Sequence, residues 1–180
     1  NTYSYAAAEV IIPHVLGNFY NFLFDTTSWE SIKDNTSLFL AFGGIPLKNG
    51  QISQGGVGSH IQKDYLKKAA LNGVNFINVS PLKSDLEGIG NIEWLPLKPN
   101  TDVALMLALC YELNKAGKTN KTFIDRYTVG FEKFTSYLNG FSDGVIKNAD
   151  WASKIIGIDK NVIFNLIKEI KKSNRTMISV

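Results

Sequence analysis

The residues Leu38-Phe39-Leu40-Ala41-Phe42 form an unbroken apolar run between Ser37 and the pair Gly43-Gly44. A strand with one wet face alternates apolar and polar side chains. This run has no polar position, so both of its faces must be covered, as in a parallel strand between two layers of helices. The rest of the chain supplies those layers. Val74 to Val79 reads as a second strand, Ile92-Glu93-Trp94-Leu95 as a short third, and a last strand starts near Thr176. Helical spacing of apolar residues covers 5–16, broken near Pro13, and 103–115, apolar nearly all round. A short helix begins at Thr27-Ser28-Trp29-Glu30, where Thr27 and Glu30 have capping-box spacing. Another covers 59–71 and closes on Asn72-Gly73. From Lys121 onward the pattern is helical over 121–128, 130–138, 149–156 and 159–172. Strands alternating with helices of about 10–15 residues imply βαβ units. The expected fold class is therefore α/β, with a mostly parallel sheet flanked by helices and a helix-rich C-terminal half.

Composition removes several classes. At 180 residues the chain is long enough for one domain with a sizeable core. Cys110 is its single cysteine, so an internal disulfide framework is excluded. One Cys with His14 and His60 cannot make a four-ligand zinc finger. The most apolar stretch, Val103 to Tyr111, falls well short of the ~20 residues that span a bilayer. The net charge is +3, the lysines are scattered, and Arg126 and Arg175 are the arginines; no nucleic-acid partner is expected. Asn1-Thr2-Tyr3-Ser4 has no basic stretch of the kind that opens a signal peptide. The first residue is not Met, and Thr176 to Val180 reads as a strand in progress, so the chain is expected to be an excerpt of something longer.

In an open parallel sheet, ligands bind beyond the C-terminal strand ends. That rule selects three segments. Gly43-Gly44-Ile45-Pro46-Leu47-Lys48-Asn49 follows the first strand: two glycines allow close backbone approach and expose N–H groups, and Lys48 can neutralise a phosphate. It is neither a Walker A loop nor a GxGxxG fingerprint. A plain strand-to-loop turn would use the same residues. Ser80-Pro81-Leu82-Lys83-Ser84-Asp85 follows the second strand; Ser80, Ser84 and Asp85 suit ribose hydroxyls and Lys83 a phosphate, while an ordinary turn and cap also favour Ser and Asp. Lys98-Pro99-Asn100-Thr101-Asp102 opens the third. Asn100 or Thr101 as cap and Asp102 in the first turn complement a helix dipole. The same carboxylate can accept two parallel bonds from a guanine edge. Together the three segments point to a nucleotide-like ligand.

Other features carry less. Gly55-Gly56-Val57-Gly58 precedes a helix and offers either an anion site or a flexible loop. Neither histidine has a neighbour suited to a catalytic dyad. Cys110 reads as a buried small hydrophobe, and Trp29, Trp94 and Trp151 as core or interface aromatics.

Several runs resemble the dimethyl sulfoxide reductase family of molybdopterin oxidoreductases. They are Ile12-Pro13-His14-Val15-Leu16-Gly17, Ser28-Trp29, Pro99-Asn100-Thr101-Asp102-Val103-Ala104-Leu105-Met106-Leu107, Tyr127-Thr128-Val129-Gly130-Phe131, Ser142-Asp143-Gly144-Val145 and Ala149-Asp150-Trp151-Ala152. The resemblance covers nearly the whole chain in order and is closest to the biotin sulfoxide and trimethylamine N-oxide reductase branch. It implies that residues 1–180 form a single Rossmann-like α/β domain of a larger catalytic subunit, holding one of two molybdopterin guanine dinucleotides of a bis-molybdopterin guanine dinucleotide cofactor with molybdenum. It implies that Gly43, Gly44, Pro46, Lys48 and Asn49 line the phosphate and pterin side. Ser80, Pro81 and Lys83 then lie near the guanosine, with Pro99, Asn100 and Asp102 completing that pocket.

The sequence departs from the family pattern at Phe42, where Trp is usual, and at Ile45, where Asp or Asn is usual. Asn49 replaces a usual Thr, Ser80 replaces Asn or Asp, and the loop 53–59 lacks the Pro-Asp-His-Gly pattern of the branch. The resemblance places the molybdenum ligand in an earlier part of the subunit, so no catalytic and no metal-ligating residue is assigned here. The implied reaction of the intact enzyme is removal of oxygen from a small S-oxide or N-oxide, with the remaining domains of the same subunit as partners. The branch contains both cytoplasmic and periplasmic enzymes. The alternative is a non-catalytic α/β interaction module that has kept the fold and lost the cofactor, motivated by Ile45 and the altered loop. A nicotinamide-dependent dehydrogenase lacks its glycine fingerprint.

Overall fold

The computed structural model describes residues 6–51 and 58–180. Their sheet has four strands, all parallel: β1 (Leu38–Phe42), β2 (Asn75–Val79), β3 (Ile92–Leu95) and β4 (Thr176–Ser179), in the order β3-β2-β1-β4. Parallel pairing needs crossovers, and helices provide them. α1 (Ala6–Leu16), α2 (Phe19–Phe24) and α3 (Trp29–Asn35) precede β1, α4 (Gln62–Leu71) joins β1 to β2, and β2 passes to β3 through a short 3₁₀ turn, Lys83–Leu86. Between β3 and β4 lie α5 (Asp102–Lys115), α6 (Lys121–Tyr127), α7 (Phe131–Leu138), α8 (Ala149–Ile156) and α9 (Lys160–Lys172).

All five residues of β1 are buried, as an unbroken apolar run requires. Alternate side chains go to opposite layers. Leu38, Leu40 and Phe42 join Leu105, Ala108, Ala152, Ile156 and Leu166 of α5, α8 and α9. Phe39 and Ala41 join Ile32 of α3 and Leu66 and Ala69 of α4, with the Phe39 and Phe76 rings stacked at 5.3 Å. Each of the Leu, Ile and Phe side chains so removed from water stabilises the fold by about 1.5–3 kcal/mol. Outside the sheet, Tyr65 donates its hydroxyl hydrogen to Glu30, tying α4 to α3. That bond holds the Glu30 carboxyl below its ordinary value and the Tyr65 phenol above its own.

Several local expectations are corrected. α1 runs through Pro13 rather than breaking there; the ring forgoes one bond to the preceding turn, and the helix goes on for three more residues. α3 is capped by Ser28, whose Oγ accepts from the Ser31 amide at 3.2 Å, and not by Thr27. α4 starts at Gln62 instead of 59, because His60 sits at φ 53, outside helical space. Cys110 is exposed rather than buried. α5 turns Ala104, Leu105, Ala108 and Leu109 inward, and Cys110 shares the outer face with Val103, seven residues earlier. Neighbouring atoms still desolvate the thiol enough to raise its pKa. Residues 55–57 of the glycine-rich run, and most of the altered 53–59 loop, lie outside the described residues.

The Ser142-Asp143-Gly144 run has a structural explanation. Lys147 is 2% exposed, and its Nζ donates to both oxygens of Asp143 and to the Val145 carbonyl. The ammonium also lies 4.2 Å from the Tyr137 ring centroid and 5.6 Å from that of Trp151. A buried ammonium needs such partners, and here they clasp the α7–α8 connection. Among the described residues, no helix is long and apolar enough to cross a membrane.

Candidate functional site

The sheet places the three selected segments side by side. Phe42 pairs with Val79, and Val79 with Leu95, so β1, β2 and β3 end in register. Neighbouring strands stand about 4.8 Å apart. The segments beginning at Gly43, Ser80 and Pro96 therefore leave one sheet edge together. The order β3-β2-β1-β4 also puts the reversal of strand order between β1 and β4, beside the Gly43 turn, where open α/β sheets bind ligands.

In the first segment, the Gly43 amide donates to the Val79 carbonyl at 2.9 Å and the Gly44 amide to Ala41 at 3.4 Å. The expected exposed N–H groups are thus not those of the glycines, which close the turn. Among the described residues, the amides without a partner belong to Ile45, Leu47 and Lys48. The side chains of Ile45 and Leu47 pack on the α3/α4 layer, which anchors the loop from beneath. Ile45 therefore exchanges a usual polar side chain for core packing while its amide stays available. Pro46 is half-buried, its carbonyl accepting from the Asn49 amide at 2.9 Å, and Lys48 and Asn49 are exposed.

In the second segment, Ser80 and Asp85 face each other rather than solvent. Ser80 is 1% exposed and Asp85 7%. The Ser80 hydroxyl donates to Asp85 Oδ2 at 2.8 Å and accepts from the Leu82 amide at 3.1 Å. The expectation that both side chains meet a ribose gives way to an internal brace. Pro81, Lys83 and Ser84 are exposed. Lys83 Nζ stands 5.9 Å from the Trp94 ring centroid, and an open cleft of about 460 Å³ lies between Lys83, Ser84, Gly88, Asn91 and Trp94.

In the third segment, Asn100 adopts φ 64, a left-handed conformation that Asn tolerates better than most residues. Thr101 is the N-cap position of α5, but its hydroxyl donates to the Lys98 carbonyl at 2.6 Å and caps nothing. Pro99 and Asn100 are exposed and Asp102 is half-buried. Neither the Asn100 amide nor the Asp102 carboxylate has a side-chain partner among the described residues.

Sequence reasoning missed two participants. Asn78 on β2 is fully buried; its Nδ2 donates to the Leu82 carbonyl at 3.0 Å, and its Oδ1 has no partner among the described residues. Trp94 Nε1 donates to the Ser80 carbonyl at 2.8 Å. A lone Asn in the apolar run Phe76-Ile77-Asn78-Val79 was the available signal. Among the described residues, no three His, Cys, Asp or Glu side chains gather where a metal ion could be held.

No family model matches the chain. Individual relatives do. It is 37% identical over 180 residues to a biotin sulfoxide reductase of Cereibacter sphaeroides, which covers 100% of this chain and 24% of that protein. It is 38% identical over 181 residues to a trimethylamine-N-oxide reductase of Haemophilus influenzae, covering 98% of this chain and 21% of the relative. A dimethyl sulfoxide/trimethylamine N-oxide reductase of Cereibacter sphaeroides is 31% identical over 177 residues, with 98% and 21% covered. Among solved structures, acetylene hydratase from Pelobacter acetylenicus superposes with a TM-score of 0.62 at 21% identity, over 82% of this chain and 18% of that one, and shares the fold. The chain thus spans between a fifth and a quarter of the length of these curated relatives. With every segment of the sequence aligned to such reductases, the chain belongs to the dimethyl sulfoxide reductase family of molybdopterin oxidoreductases and corresponds to one part of their length.

Proposed function

We propose that this chain is one cofactor-holding domain, residues 1–180, of a molybdenum-dependent S-oxide or N-oxide reductase. It holds a guanine dinucleotide arm of a bis-molybdopterin guanine dinucleotide. The observation that carries the reading is the convergence of three strand-end segments with unpartnered donors and acceptors at one sheet edge. The donor set suits the group. Free amides at Ile45, Leu47 and Lys48, with the Lys48 ammonium, suit phosphate oxygens. Asn100 and Asp102 supply a side-chain amide and a paired acceptor for a guanine edge, beside the uncapped amides of α5. Gly43, Gly44, Pro46 and Asn49 shape the first loop. Ser80 acts by bracing the second, while Pro81, Lys83 and Pro99 border it and the third.

When bound, the cofactor supplies molybdenum and two-electron exchange with an oxygen-donating substrate. This chain contributes binding and orientation; the remaining domains of the same polypeptide contribute the rest. The half-buried packing of Ile45 explains that departure without loss of cofactor, which weakens the case for a non-catalytic module.

The test uses the intact polypeptide, purified from a host that makes the cofactor. Metal analysis and acid release of GMP are expected to give molybdenum with two guanine nucleotides per metal. Reduction of biotin sulfoxide, dimethyl sulfoxide or trimethylamine N-oxide by reduced viologen is expected, and none from the 180-residue chain alone. An intact protein carrying neither molybdenum nor GMP would establish the module reading instead.

A further inference from the structure

The loops after β1 and β2 are interlocked at one atom group. Gly44 sits at φ 76, and a Cβ built there would fall 2.1 Å from Asp85 Oδ2 and 2.7 Å from Asp85 Cβ and Cγ. The Asp85 side chain therefore occupies the space that any other residue at 44 would need. It is held there by the Ser80 hydroxyl. The second loop is in turn fixed from below by Trp94 Nε1 on the Ser80 carbonyl and Asn78 Nδ2 on the Leu82 carbonyl. These contacts make one chain: β3 through Trp94 to Ser80, Ser80 to Asp85, and Asp85 against the backbone of Gly44. A carboxylate buried with a single hydroxyl donor gains little stability for its desolvation. Its placement has a geometric consequence instead.

We infer that Asp85 is a positioning residue: it sets how the Gly43–Asn49 loop rests on the Ser80–Asp85 loop, and so seats the free amides of Ile45, Leu47 and Lys48. The inference rests on the cofactor reading above only for what those amides hold. The coupling of the two loops is a property of this chain's own residues.

The experiment compares wild type, D85A, D85N, S80A, G44A and G44A/D85A in the intact protein. Two readouts are used: hydrogen exchange of the hydrogen-bonded loop amides of Gly43, Gly44 and Asn49, and molybdenum with GMP per polypeptide. In D85A and S80A, exchange at Gly43, Gly44 and Asn49 is expected to rise about three- to tenfold, the size of one lost hydrogen bond, with no change in α7. Cofactor content is expected to fall with it. D85N keeps the volume and an acceptor for Ser80, so it is expected to restore both readouts. G44A is expected to lose most of the cofactor, and G44A/D85A to recover part of it, because the clash with the Asp85 carboxylate is gone while the close approach to the Cβ at 85 and the backbone strain remain. Unchanged exchange at Gly43, Gly44 and Asn49 in D85A and S80A overturns the inference whatever the cofactor content. Strict additivity of G44A and D85A overturns it as well. A wild type devoid of molybdenum and GMP overturns the functional reading, while the exchange readout still decides the coupling of the two loops.

Discussion

Asp102→Asn separates the proposed binding role of the third segment from its structural role. The side chain is half-buried at the first position of α5, without a side-chain partner among the described residues, and the substitution preserves its shape. Removing a charge from a helix N-terminus costs about 0.3–1 kcal/mol. For a chain of this size that lowers the melting temperature by about 1–4 °C. Against a guanine edge the loss is larger. The carboxylate accepts two parallel bonds, and the amide keeps one acceptor and turns a donor toward a donor. A hydrogen bond to a charged group contributes about 1.5–3 kcal/mol, so affinity for the guanine end should fall about 10- to 100-fold. The assay is GMP and molybdenum per intact polypeptide, together with thermal denaturation of the same samples. GDP titration of the 180-residue chain, followed through the amide signals of Lys48, Ser80 and Asp102, gives the same comparison without the rest of the enzyme. The reasoning fails if Asp102→Asn loads the cofactor as wild type does. It also fails if cofactor loss only follows a large fall in melting temperature.

Three further outcomes are expected. Leu40→Ala, at a fully buried position of β1, should destabilise the chain by about 2.7–5 kcal/mol in urea titration, whereas Val103→Ala on the exposed face of α5 should stay within about 0.5 kcal/mol. The hydrogen bond from Lys147 holds the Asp143 carboxyl below its ordinary value; the clasp is therefore fully present above the ordinary carboxylate pKa and is lost as pH falls through the folded one. Exchange protection of residues 139–148 should weaken over that acidic window, and Asp143→Asn should abolish the dependence. Cys110, exposed but with a raised pKa, should be alkylated slowly at pH 7 in the 180-residue chain and faster as pH rises; rapid, pH-independent labelling would contradict the desolvated thiol.

Much of the architecture is legible along the chain because burial leaves a linear trace. Leu38 to Phe42 carries no polar residue because helices cover both faces, and Ile92 to Leu95 is bounded where the sequence places it. The helix 149–156 is bounded where the spacing places it, and the one expected over 130–138 starts one residue later, at Phe131, because Gly130 sits at φ 87. Helix ends were less legible where the deciding quantity is a dihedral: Ser28 rather than Thr27 caps α3, and His60 at a positive φ delays α4. The outward turn of Cys110 depends on which stripe of an all-apolar helix meets the sheet, and that is a matter of packing partners far away in sequence.

The sequence by itself determined the α/β class, the three strand-end segments and the family, because periodicity and local motifs are written residue by residue. Only the tertiary structure decided which atoms at those ends are free. Hydrogen-bond capacity is allotted in space: the Gly43 and Gly44 amides go to Val79 and Ala41, Ser80 goes to Asp85, and, among the described residues, Ile45, Leu47, Lys48, Asn100 and Asp102 carry unpartnered groups. Asp85 and Gly44 lie forty-one positions apart and carry no shared pattern. Their contact exists because β1 and β2 end in register, which is a property of the folded sheet.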